Sequence, residues 1–155
     1  ARGGGKIVLF AGNGVEKIYE IVNIEKRTIA VRGIGQAKNR NDPVLHIHLF
    51  QALPNKYEKI EYIIEKGVEV GIASFSFFRS EYSQRLSITP QKRARFQSIA
   101  REALEQCGGS RFPALHFLDT FDLTEKPPFP CLVLDTNVQK LNHTLPFSYD
   151  IGFFV

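Results

Sequence analysis

The sequence holds 155 residues, 43% apolar and 23% charged, with 20 Lys and Arg against 16 Asp and Glu and a formal net charge of +4. A chain of this size and apolar content buries roughly 70% of its unfolded surface, which excludes a disordered protein. No apolar run nears the roughly 20 residues of a bilayer-spanning helix and no signal peptide precedes the first strand, so a cytoplasmic protein without a membrane partner is expected.

The first residues read as strands: Lys6–Phe10, a turn at Gly12-Asn13-Gly14, Val15–Ile24, a turn at Glu25-Lys26-Arg27, and residues 28–34. Gly3-Gly4-Gly5-Lys6 is not a phosphate loop, because a strand follows where that loop needs Ser or Thr and a helix. Residues 33–43 are polar, contain glycine and end in Pro43, the composition of a linker. The expected domains are therefore 1–40 and 44–155.

The second domain opens with a strand at 44–50 and a helix at 57–70, whose Tyr57, Ile60, Ile63, Ile64 and Val68 keep helical spacing before Gly71. A strand at Ile72–Phe78 follows. Thr89 is a good N-cap with Pro90 behind it, and Phe96, Ile99, Ala100, Ala103, Leu104 and Cys107 hold a 3.6-residue period up to Gly108. A strand at Ala114–Leu118, a Pro-rich loop at 126–130, a strand at 131–134, a short helical turn and a strand at 150–155 complete the chain. Strands alternating with helices predict a mostly parallel α/β sheet covered on both faces, with ligands at the carboxyl ends of its strands.

Methionine is absent, including at position 1, and the last residues, Ile151, Phe153, Phe154 and Val155, form an apolar run without a following turn. The chain is expected to be an interior piece of a longer protein. Cys107 and Cys131 make no disulfide framework or metal spacing, and structural thiols are expected. His46 and His48 share a strand face, but no third ligand accompanies them, so no metal is expected. Isolated His116 and His143 complete no Ser-His-Asp or Cys-His set that sequence can place. Lys92, Arg93, Arg95 and Arg101 cluster on the second helix, with Arg79, Arg85 and Arg111 in adjoining loops; phosphate contacts need such cations, and so does an ordinary solvated face.

Three segments add specificity. Gln51-Ala52-Leu53-Pro54, with Lys59-Ile60-Glu61 and Glu65-Lys66-Gly67-Val68-Glu69-Val70-Gly71, is followed by Ser80-Glu81, and then by Ile99-Ala100-Arg101-Glu102-Ala103, Glu105-Gln106-Cys107-Gly108 and Arg111-Phe112-Pro113. In residues and spacing they resemble the bacterial 16S ribosomal RNA uracil-N3 methyltransferases of the SPOUT superfamily, over most of the chain. The resemblance implies part of a PUA-like β-barrel over residues 1–40, then the first part of a SPOUT domain whose knot is truncated. It implies methylation of a uridine N3 in 16S ribosomal RNA with S-adenosylmethionine, by a homodimer acting on the small ribosomal subunit.

The same resemblance makes Leu134, Asp135 and Val155 candidates for cofactor binding, at the ends of two strands that lead into pocket loops. Lys59, Lys66, Arg93, Arg95 and Arg111 become candidates for RNA contacts. Glu69, Glu105 and Gln106 are candidates for the substrate site or for helix packing. No catalytic base is assigned. Gly109 and Tyr82 stand where the family has Arg, which opens two other readings: an RNA-binding relative without catalysis, or a methyltransferase for another RNA. With two of three pocket loops expected downstream of Val155, the chain alone is expected to bind S-adenosylmethionine weakly or not at all.

Overall fold

The structure, a computed structural model, describes residues 4–38, 41–81, 83, 86–121, 127–134 and 149–155. They fall into two compact units, Ala1–Asp42 with Gly108–Phe112, and Pro43–Cys107 with Pro113–Val155. In the first unit, β-branched runs separated by turn residues form the antiparallel strands β1 (Lys6–Phe10), β2 (Val15–Ile24) and β3 (Ile29–Lys38), in the order β1-β2-β3. The Asn13 side-chain oxygen accepts from Val15 N–H at 3.1 Å across the first turn. Glu25 N–H donates to the Thr28 carbonyl at 2.8 Å across the second.

The polar stretch expected as a linker from residue 33 is strand as far as Lys38, with Gly35 opposite Ile18 and Lys38 opposite Val15. Pairing with β2 supplies backbone hydrogen bonds whatever the side chains are, so local composition understates the strand. The segment Gly108–Phe112 clusters with this unit although sequence grouped it with the later domain. Gly14 N–H donates to the Ser110 carbonyl at 3.2 Å, and Phe112 N–H to the Gly12 carbonyl at 3.1 Å. Ser110 is fully buried, and its N–H and hydroxyl both donate to the Asp42 carboxylate at 2.8 Å. A buried hydroxyl without such an acceptor costs about 1–3 kcal/mol.

The second unit alternates strand and helix: β4 (His46–Ala52), α1 (Tyr57–Glu69), β5 (Ile72–Phe78), α2 (Pro90–Cys107), β6 (Ala114–Leu118), then β7 (Cys131–Val133) and β8 (Asp150–Phe154). All five strands are parallel, in the order β6-β5-β4-β8-β7, as the alternating pattern predicts. β4 starts at His46 rather than at exposed Val44. The short helical turn expected before β8 lies outside the described residues.

From β4 through β5 to β6 the chain steps one way across the sheet, and right-handed crossovers then place α1 and α2 on the same face. Phe75, Phe77, Ile60, Ile64 and Phe96 are fully buried there. The ring of Phe117 lies 5.4 Å from both Phe77 and Phe96, which locks α2 to the sheet. The Thr89 hydroxyl accepts from Lys92 N–H at 3.3 Å, the cap that the sequence predicts for α2. Both helices of the described residues lie on this face, so a second helical layer is not among the described residues. None of the described helices is long and apolar enough to cross a membrane.

Gly67 sits in the middle of α1, where Ala would ordinarily add about 1 kcal/mol of helix stability. A Cβ there would stand 2.5 Å from ring atoms of Phe75, itself fully buried. Overpacking a closed core costs about 1–3 kcal/mol, which outweighs the helix gain. Gly67→Ala is therefore expected to lower the melting temperature in thermal unfolding, and a rise would show that Phe75 has room to move.

Candidate functional site

The carboxyl ends of β4, β5, β7 and β8 enclose an open pocket of about 610 Å³, inside the roughly 300–1,000 Å³ range of small-molecule sites. Ala52, Phe78 and Phe154 come from strand ends, Leu134 and Val155 from the residues just beyond β7 and β8, and Phe121, Phe129 and Cys131 from the segments around β6 and β7. The parallel register sets Phe50 opposite Phe154, and their rings stack at 4.4 Å and 9°. Phe121 closes on Phe78, Phe50 and Phe154 at 5.0, 5.4 and 5.5 Å. Planar aromatic walls of this kind suit another flat ring.

Leu134 and Val155, candidates for cofactor binding by resemblance, both line this pocket; Asp135 lies outside the described residues. Among the described lining residues, Ser80 brings the single side-chain oxygen. Its turn is built by Ser80 N–H donating to the Ser83 hydroxyl and Ser83 N–H donating to the Ser80 carbonyl, each at 3.1 Å. Arg79 braces the loop, its guanidinium donating to the Leu86 carbonyl at 3.2 Å and facing Asp119 at 3.5 Å. Burial pushes the Cys131 thiol up, against a partial opposing effect of a backbone hydrogen bond at Gly152. A raised thiol pKa lowers the thiolate fraction, in keeping with a packing role.

The other candidate residues do not gather here. Glu69, Glu105 and Gln106 are exposed and line a second groove between α1 and α2, together with Glu61, Glu65 and Glu102. Neither Glu69 nor Gln106 is the partly buried polar group that a packing or capping role would lead one to expect. Arg95 sits in that groove in a two-point pair with Glu61, one contact at 2.8 Å, and this pair holds the Glu61 carboxyl below its ordinary range. Glu65 and then Glu69, each 2.8 Å from the Lys66 ammonium, hold it above the usual lysine range. Lys59 is exposed on α1, Arg93 lies over the Phe117 ring at 5.0 Å, and Arg111 belongs to the first unit. Of the five cations, Arg95 and Lys66 are thus paired with carboxylates, and Arg111 lies in a different unit from the other four.

Sequence alone did not show what His46 and His48 meet. His48 Nε2 and His46 Nδ1 approach Asp150 Oδ1 at 3.1 and 3.3 Å, and His48 Nδ1 approaches the Ser74 hydroxyl at 2.7 Å. The imidazole of His48 also stacks on Phe129, with ring centres 4.4 Å apart and planes 14° apart. Among the described residues no set of three or more His, Cys, Asp or Glu is arranged to hold a metal. The only sequence signal was the alternation of His46 and His48; Asp150 is over a hundred residues away.

A family model described as an RNA methyltransferase domain matches residues 40–145. The ribosomal RNA small subunit methyltransferase E of Buchnera aphidicola subsp. Schizaphis graminum is 31% identical over 114 residues, covering 71% of this chain and 46% of the relative. The chain spans less than half the length of the curated relatives it matches. A Legionella pneumophila structure with bound SAM aligns over all of this chain and 66% of its own, at 26% identity and a TM-score of 0.79. The ribosomal RNA small subunit methyltransferase E of Neisseria gonorrhoeae, solved with S-adenosyl methionine, aligns at 22% identity and a TM-score of 0.81, over all of this chain and 66% of its own. It shares the fold.

The hydrogen bond from His48, aided by His46 and opposed by burial, holds the Asp150 carboxyl below its ordinary value of 3.8. A depressed carboxyl stabilises the fold above its unfolded-state pKa, and that contribution is lost as pH falls through the folded-state value. The stability gap between the native chain and Asp150→Asn is thus expected to be widest above the ordinary carboxyl value of 3.8 and to shrink progressively as pH falls below it. Thermal unfolding on both sides of that value checks this, and a gap independent of pH would contradict it.

Proposed function

We propose, because this chain belongs to the RNA methyltransferase domain family, that its strand-end pocket is part of an S-adenosylmethionine site. We further propose that the whole protein methylates N3 of a uridine in 16S ribosomal RNA. The observation that carries this reading is the aromatic pocket at the carboxyl ends of a parallel sheet, where open α/β folds hold their ligands. Phe78, Phe121 and Phe154 offer the adenine ring apolar faces, and the Ser80 hydroxyl offers a polar group within the same wall. These residues fit an adenosine-bearing cofactor.

When bound, the cofactor supplies an electrophilic methyl group. The chain's own residues orient the cofactor and keep water from it, which turns a bimolecular encounter into a positioned one. Uridine N3 must lose its proton, yet the described lining holds no carboxylate or imidazole. The proton acceptor on this reading comes from outside the described lining. The whole protein is read as a cytoplasmic homodimer that acts on the small ribosomal subunit.

RNA contact is assigned first to Arg93, Lys59 and Arg111. Arg95 and Lys66 have to surrender carboxylate partners before meeting a phosphate, and two further glutamates, Glu102 and Glu105, line the groove beside Arg95. The test is transfer of labelled methyl from S-adenosylmethionine to 16S ribosomal RNA by the full-length protein, with the product nucleoside identified by mass spectrometry. 3-Methyluridine supports the reading. RNA binding without transfer would favour a non-catalytic RNA-binding protein, and a different methylated nucleoside would favour another RNA substrate.

A salt series separates the cations. Arg93→Ala is expected to lower the slope of log affinity against log salt by about one unit for each phosphate it no longer neutralises, and Arg95→Ala to change it less. Filter binding measures both slopes, and the reverse order would refute the assignment.

A further inference from the structure

The hydrogen-bonded group formed by Asp150, His48 and Ser74 lies on the sheet face opposite α1 and α2, below the pocket and outside its lining. His48 pairs in register with Ser74 on β5 and with Gly152 on β8, so the imidazole lies across three strands. Both of its nitrogens are held, one at the Ser74 hydroxyl at 2.7 Å and one at Asp150 Oδ1 at 3.1 Å. An ionised carboxylate only accepts, so Nε2 donates to Asp150; in the neutral ring, Nδ1 then accepts the Ser74 O–H. Two held nitrogens leave the ring no free rotation about its own plane.

Among the described residues that fixed plane has one aromatic neighbour in contact, Phe129, stacked 4.4 Å away at 14°. Phe129 lines the pocket and precedes β7 by two residues, in a loop where neither helix nor sheet pairing fixes its side chain. Its ring also passes over Gly152, where a Cβ would stand 3.2 Å from Phe129 Cε2 and 2.6 Å from Cys131 Sγ. The absent side chain of Gly152 therefore makes room for the ring, and His48 sets its tilt.

We propose that His48 is a positioning residue for the pocket: held by Asp150 and Ser74, its imidazole orients Phe129 as a preformed wall for a flat ring. The identification of that ring with the adenine of the cofactor rests on the function proposed above; the positioning itself does not. A wall set before binding spares the ligand the cost of ordering a loop side chain. The role differs from plain structural support because it acts on ligand affinity through one other residue.

The test is a double-mutant cycle on the 155-residue chain with His48→Ala, Phe129→Leu and both together. Indole serves as a planar probe, followed by the amide shifts of Ala52, Cys131 and Val133 at the pocket. Each single variant is expected to weaken indole binding about fivefold, and the double variant no further than Phe129→Leu alone. His48→Phe keeps a stacking ring but loses both hydrogen bonds that fix its plane, and is expected to recover the lost affinity only in part. The upfield ring-current shift of the His48 protons is expected to vanish in Phe129→Leu. Additive losses, unchanged affinity in His48→Ala, or no indole binding by the native chain would each overturn the proposal. If indole follows the cycle while the full-length protein ignores S-adenosylmethionine, the positioning role stands and the cofactor reading falls.

Discussion

The parallel pairing of β4 with β8 is the constraint on which the rest of the site depends. It joins residues 46–50 to residues 150–154 in one register, so His46 meets Asp150, His48 meets Gly152 and Phe50 meets Phe154. From this single ladder follow the aromatic stack at the pocket, the two histidines sharing one carboxylate, and the bare backbone at Gly152 over which Phe129 and Cys131 lie. β5 on one side and β7 on the other extend the same polarity, so their carboxyl ends open at the same edge.

The sheet face under the helices and the face that carries the site obey different chemistry. Under α1 and α2, Phe75 and Phe77 alternate with Ser74 and Ser76, so one residue out of register would put aromatic rings among the histidines and hydroxyls among the helices. On the site face, polarity runs along the strands instead: imidazoles, a carboxylate and a hydroxyl near the amino ends, then phenyl rings towards the carboxyl ends. The apolar end suits a flat heterocycle, and the polar end holds the chain rigid beneath it. Negative charge collects elsewhere, in the groove where Glu61, Glu65, Glu69, Glu102 and Glu105 converge.

Much of the fold is legible in the sequence where the information is local. Ile72–Phe78, Ala114–Leu118 and Pro90–Cys107 occur as read, because periodicity and a Thr-Pro cap are short-range signals. The end of β3 is not legible, since Gly35 and Lys38 owe their strand geometry to β2 and not to their own preferences. Leu134 and Val155 could be placed by resemblance at strand ends. Phe121 and Phe129 could not, because they reach the pocket from loops, and no period describes a loop. The basic residues show the same limit: Arg95 and Lys66 read as available cations until the fold brings Glu61 to one, and one turn of helix brings Glu69 to the other.

The proposed cofactor site is the edge where β4, β5, β7 and β8 end. The most direct measurement is a crystal structure of the full-length protein with S-adenosylhomocysteine, the product form of the cofactor. Its adenine is expected against the aromatic wall of Phe78, Phe121 and Phe154, beside Leu134 and Val155. Density for the nucleoside in the groove between α1 and α2, or anywhere away from these strand ends, would contradict it.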